Sequence, residues 1–133
     1  MKKNKAISLP KLKAKIQIVF NLFIRLRDKG KPCISCGTAW EDLQAGHFYS
    51  VRQYDGLRFN ENNCHGECTY CNYFDDMHLL NYKQNLPERI GQDAFDELIE
   101  SAHDYKQNGY KWSRTELMEL LEIYKQKVKE LKR

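Results

Sequence analysis

A chain of 133 residues, 41% of them hydrophobic, has the size of one domain with a modest core, and no apolar run in it approaches the roughly 18 residues of a membrane span. A formal charge of +4 is too small to mark a nucleic-acid partner by itself, and the lysine-rich start lacks the apolar stretch of a secretory signal, so a soluble cytoplasmic protein is expected. Five cysteines cannot all pair, and in a reducing compartment they point to metal ligation rather than to disulfides.

Charge is uneven along the chain. Lys2, Lys3, Lys5, Lys11, Lys13, Lys15, Arg25, Arg27, Lys29 and Lys31 crowd the first quarter, while acidic residues concentrate after residue 75. That asymmetry suits an anionic partner on the N-terminal side, with a solvated tail as the alternative for Lys2 to Lys5. From about residue 11 to 28, Leu12, Ile16, Val19, Phe20, Phe23 and Ile24 recur at helical spacing and predict an amphipathic helix, which Gly30 and Pro32 end. The chain then enters Cys33-x-x-Cys36, whose trailing Gly37 permits the tight turn of a zinc knuckle.

Residues 40 to 65 hold no helical period, and short extended runs at 44 to 51 and 57 to 59 predict a hairpin. Cys68-x-x-Cys71 forms a second knuckle, and a helix is expected from Asn72 onward, without a breaker until Pro87. Asp93 is a candidate cap for a further helix bearing Ala94, Phe95, Leu98, Ile99 and Ala102 on its apolar face. After the Asn108-Gly109 turn, Ser113 and Glu116 read as a capping box, opening a last helix that presents Leu117, Leu120, Leu121, Tyr124, Val128 and Leu131.

These elements predict an α+β fold with a zinc-stapled ββα-metal core at residues 31 to 86. A basic tail and amphipathic helix (1 to 30) precede it and a helical region (87 to 133) follows, all in one compact unit.

Four thiolates at this spacing, Cys33, Cys36, Cys68 and Cys71, can close one tetrahedral structural Zn²⁺ site and leave the intervening His47 free for chemistry. Cys64 is the odd thiol, either near the metal, an alternative to Cys68, or a small buried residue. Hydrolysis of a phosphodiester requires a base, a divalent cation and stabilisation of the leaving oxygen. His47, on a predicted strand, suits the base, because imidazole titrates near neutral pH; a zinc ligand or a packed core histidine is the plainer alternative.

Asn72, where the second knuckle turns into a helix, offers an oxygen to a hard cation such as Mg²⁺ or Mn²⁺, or simply caps the helix. Asn63 is expected to brace the backbone of His47, or to be an ordinary turn residue. His65 either touches phosphate or the metal, or packs against the knuckle. Asp76, four residues past Asn72, either shares its cation or is an exposed helix acid. Arg52 and Arg58, interleaved with Tyr49, Tyr54 and Phe59, are the candidate DNA contacts.

With those residues in place, the chain resembles the NinG (Rap) recombination-protein family of lambdoid phages. The matching text is C-I-S-C-G at 33 to 37, A-G-H-F at 45 to 48, R-F-N-E-N-N at 58 to 63, H-x-x-C-x-x-C-N at 65 to 72, N-Y at 81 to 82 and R-I-G at 89 to 91. The resemblance implies a structure-selective endonuclease acting on branched DNA such as Holliday junctions and D-loops with Mg²⁺ or Mn²⁺, in the bacterial host cytoplasm. The site is also similar to phage endonuclease VII and other HNH, treble-clef-like enzymes, in which the cysteines hold zinc, the histidine is the base and the asparagine after the last cysteine binds the catalytic ion. By that likeness His47, Asn63 and Asn72 take the roles of base, brace and cation ligand described above.

Such sites place Asp or His before the base, whereas this chain has Gly46, so Asp75, Asp76, His65 or water is expected to fill the gap. Cutting a junction requires two symmetric incisions, which predicts a homodimer. The apolar faces of the terminal helices are either its interfaces or core. The rival expectation is a non-catalytic zinc-stabilised DNA-binding or adaptor module in which His47 is structural.

Overall fold

The computed structural model describes residues 6 to 73, 75 and 77 to 133. Along the chain run α1 (Leu9–Arg27), β1 (Gln44–His47), β2 (Cys64–Glu67), α2 (Thr69–Tyr73), α3 (His78–Ile90), α4 (Gln92–Asn108) and α5 (Arg114–Leu131), with 3-10 turns at Asp55–Leu57 and Glu61–Asn63. The fold is mixed α+β, with five helices and one small sheet among the described residues. No described helix is long and apolar enough to cross a membrane.

The Ser8 hydroxyl accepts from Lys11 N at the start of α1, which buries Leu12, Ile16, Phe20, Phe23 and Ile24. At the far end of the chain, Ser113 accepts from Glu116 N at 3.1 Å as the capping motif requires, and α5 buries Leu117, Leu121, Tyr124 and Val128. These two faces pack on each other, with the rings of Phe20 and Tyr124 edge to face at 4.9 Å. The apolar stripes of the terminal helices are therefore core within one chain, apart from Leu131, which is exposed.

β1 and β2 pair antiparallel in the register Gln44↔Glu67, Ala45↔Gly66, Gly46↔His65, His47↔Cys64. Opposed residues share a face and successive ones alternate, so His47, Ala45 and Cys64 face one way and Gly46, His65 and Glu67 the other. Ala45 and Cys64 pack on the α1–α5 core. A second cluster joins Ile34 and Leu57 to Tyr82 and Leu86 of α3 and Phe95, Leu98 and Ala102 of α4.

The second strand lies at Cys64–Glu67, not at residues 57 to 59. Leu57 and Phe59 instead hang from the 3-10 turn and drop into two different clusters, which a straight strand would not permit. The outer edge of β2 is satisfied by groups remote in sequence: Arg27 donates to Cys64 O at 2.7 Å, Gly66 N donates to Asp28 Oδ2 at 2.7 Å, and Ile34 N donates to Gly66 O at 3.0 Å.

The helix expected from Asn72 is two helices, since α2 closes at Tyr73 and α3 opens at His78. Pro87 sits inside α3 near its end, where one missing N–H is cheap, and Gly91, with φ 92°, ends the helix instead. Gly91 also occupies the N-cap of α4, which places Asp93 in the first turn rather than at the cap.

Candidate active site

The two knuckles bring Cys33, Cys36, Cys68 and Cys71 together with all four Sγ atoms within 4.8 Å of one another, and no histidine belongs to the cluster. Tetrahedral Zn²⁺ with Zn–S bonds of about 2.3 Å needs sulfurs about 3.8 Å apart. Cys36 and Cys68 are at 3.9 Å. Backbone amides already point at the sulfurs, Cys68 N at Cys33 Sγ (3.3 Å) and Cys71 N at Cys68 Sγ (3.5 Å), as the negative charge of bound thiolates requires. Burial opposes ionisation of Cys36, but hydrogen bonds led by those to Thr38 outweigh it and bring the thiol down to about 6. The donor set fits one zinc ion, and closing it would tie the start of α2 to the loop after α1.

His47 ends β1 with its ring toward α1, stacked on Phe20 at 6.2 Å. Its Nε2 is 3.1 Å from the Arg58 carbonyl, which can only accept, so Nε2 carries the proton and Nδ1 the lone pair. Gln17 supports the same carbonyl at 3.3 Å while its Oε1 accepts from Arg58 Nε at 2.9 Å. Nδ1 faces the Cys64 thiol at 3.7 Å, and burial pushes that thiol's pKa up, so it stays protonated. Burial pushes the His47 pKa down and the Arg58 charge adds to this, against the opposing pull of the Arg58 carbonyl. The ring is neutral at pH 7.

Asn63 is fully buried, and its side chain braces the loop just past the strand. Oδ1 accepts from Tyr49 N at 2.8 Å, and Nδ2 donates to Tyr49 O at 3.0 Å and Leu57 O at 3.3 Å. Its own carbonyl accepts from Phe48 N at 2.9 Å, so the bracing acts one and two residues beyond His47. Asn72, half-buried on α2, lines the same cavity as His47, a volume of about 660 Å³ bounded also by Ala45, Tyr49, His78 and Lys83.

The model of the family described as Bacteriophage Lambda NinG protein matches residues 1–133 of this chain. The chain belongs to the NinG family. It is 42% identical over 117 residues to protein ninG of Escherichia phage lambda, covering 87% of this chain and 55% of that protein. Protein ninG of Escherichia phage 933W (41%, 87% and 56%) and of Salmonella phage P22 (40%, 87% and 55%) are similar over the same length. The chain thus spans a little over half the length of these NinG relatives. No solved structure matches.

The remaining candidates within this NinG chain fall apart spatially. His65 is buried beneath α3, where its Nδ1 is 3.2 Å from the Tyr82 hydroxyl, which itself donates to Gly46 O at 2.7 Å. Burial, with Arg27 nearby, lowers its pKa to about 3, so it stays neutral. Arg58 is held by Gln17 and by Asp55 at 2.8 Å, whereas Arg52 is exposed. Asp76 lies outside the described residues. So do Lys2, Lys3 and Lys5.

Three further charged residues stand out near these elements, none of them marked by the sequence. Lys83 lines the cavity, and only its one-turn offset from Leu79 and Leu80 on α3 could have marked it. Asp28, at the C-terminal end of α1, is fully buried; burial would raise its pKa, but Arg27 and the Gly66 amide outweigh that and hold it low. Glu67 is fully buried beside His78, and nothing in its sequence context separates it from a surface acid.

Proposed function

We infer that this chain is a metal-dependent, HNH-type endonuclease of the ββα-metal kind that cuts branched DNA, such as Holliday junctions and D-loops, during phage recombination in the host cytoplasm. The observation that carries this reading is the shared cavity, lined by both a neutral, backbone-oriented His47 and Asn72, in a chain that also holds a cysteine cluster fit for structural zinc.

In this reading Nδ1 of His47 takes a proton from water, whose oxygen bonds to phosphorus as the P–O bond to the leaving strand breaks. A thiol is a weak donor and 3.7 Å is a loose contact, so the Cys64 thiol is the group that the attacking water would replace at Nδ1. Asn72 would hold a Mg²⁺ or Mn²⁺ ion, which supplies neutralisation of the charge building on the phosphate. Asn63 fixes the loop that forms one wall, and Lys83 and Arg52 contact phosphates without reading bases. Two copies of the chain would place two such sites on opposite strands of a junction.

One observation favours the rival reading of a non-catalytic zinc-stabilised DNA-binding module: both ring nitrogens of His47 already face protein groups, and the ring stacks on Phe20. The test is incubation of zinc-loaded wild type and His47→Ala with a four-way junction and with linear duplex in Mg²⁺ or Mn²⁺. Junction cutting by wild type alone supports the endonuclease. Equal cutting by both proteins, or junction binding without cutting by either, rejects the base assignment.

A further inference from the structure

The cavity that His47 and Asn72 line has walls that hydrolysis of a phosphodiester does not require. Leu79 and Leu80, in the first turn of α3, belong to its lining and are 47% and 59% exposed, although the same helix buries Tyr82 and Leu86. Tyr49 and Tyr54, from the loop beyond β1, line the same space with their rings 4.7 Å apart. Among the described residues the lining holds no carboxylate, and Lys83 is its one lysine or arginine. Lys83 follows Leu79 by four residues and Leu80 by three, so the three side chains share one side of α3.

An apolar and aromatic wall beside a cation, with no acid to repel an anion, is the chemistry that takes a nucleotide, base against the side chains and phosphate toward the lysine. The volume of about 660 Å³ lies in the range of small-ligand pockets, which suits one unstacked base rather than a base pair within its helix. A protein partner covering Leu79 and Leu80 would close the cavity to any phosphodiester at His47. DNA itself is therefore the occupant that fits these exposed leucines.

We propose that the cavity takes one unstacked base beside the scissile phosphate, with Leu79 and Leu80 as its apolar wall, and that this base distinguishes branched DNA from linear duplex. Inside a duplex a base must be unpaired and unstacked before it can enter, whereas at a branch point it is already open on one side. Apolar contact and stacking tolerate any base, so the choice falls on structure rather than on sequence. The proposal rests on the reading that places the phosphodiester at His47.

The test is binding of the full, zinc-loaded chain to a four-way junction with 2-aminopurine at its branch point and to linear duplex with the same probe, without Mg²⁺ or Mn²⁺. Fluorescence anisotropy gives the affinities, and 2-aminopurine emission reports whether the base leaves its stack. Wild type is expected to prefer the junction and to raise the emission there. In the double variant Leu79→Ala, Leu80→Ala the junction affinity is expected to fall at least about fivefold and the emission rise to vanish, while duplex affinity changes less than about twofold. Both side chains are exposed, so the variant is expected to melt as wild type does. Leu80→Trp offers a larger face to a base and is expected to keep the preference for the junction, which decides the matter if the double variant folds poorly.

Wild type that binds the junction with raised emission yet cuts no DNA when Mg²⁺ or Mn²⁺ is added supports the base pocket and removes the nuclease. Junction preference and emission unchanged in the double variant, equal losses on junction and duplex, a preference lost in Leu80→Trp, or no junction preference in wild type overturns the pocket even if DNA is cut.

Discussion

Replacing Asn63 by Ala removes one amide that holds three backbone groups in a fully buried place. The Tyr49 N–H and the Tyr49 and Leu57 carbonyls each lose their side-chain partner. At about 1 kcal/mol per hydrogen bond, with an added penalty for the buried N–H, the loss is about 3 to 4 kcal/mol. For a domain of this size that corresponds to a drop in Tm of about 10 to 15 °C. Asn63→Asp keeps the acceptor for Tyr49 N but turns a charged oxygen toward two carbonyl oxygens, so it is expected to be no more stable than Asn63→Ala. Thermal and urea unfolding read both variants, with m-values checking that the denatured state is unchanged. A Tm within about 3 °C of wild type for Asn63→Ala would refute the idea that this side chain organises the loop beyond β1.

Metal analysis is expected to find one zinc per chain, and Cys68→Ser to lose it together with cooperative melting; full zinc and an unchanged Tm in that variant would remove the clamp. Lys83→Ala is expected to weaken junction binding about equally for different sequences and to reduce the slope of log affinity against log salt by about 1, measured by fluorescence anisotropy. A change confined to one sequence would assign Lys83 to base reading instead.

Much of the architecture was legible because its signals are local. The 3.6-residue period of α1 and the Ser113–Glu116 cap each act within one or two turns of chain, and both appear where expected. The cysteine spacing was equally readable, since each knuckle needs only its own turn and Gly37. β2 was not, because Cys-His-Gly-Glu has no alternation of polar and apolar residues: all four are buried, two against α1 and two toward α3. Its edge is satisfied by Arg27, Asp28 and Ile34, whose proximity only the folded chain creates.

His47 and Asn72 were singled out from their places beside the knuckles, and both line one cavity. The burial of Glu67 was not legible, for a physical reason: it depends on Gly46 across the sheet and on His78 of α3. Arg58 shows the opposite outcome, a residue expected at DNA whose guanidinium is tied to Gln17 and Asp55 while its carbonyl orients His47.

The pH dependence of single-turnover junction cleavage tests the central claim most directly. Burial lowers the His47 pKa, so the ring is neutral, and competent as a base, above that lowered value, and loses competence as pH falls through it. The account predicts a rate that rises with a midpoint below the ordinary histidine value of about 6.5, then stays level through neutral pH, with the rise absent from the residual activity of His47→Ala. An identical profile and rate in His47→Ala would contradict it.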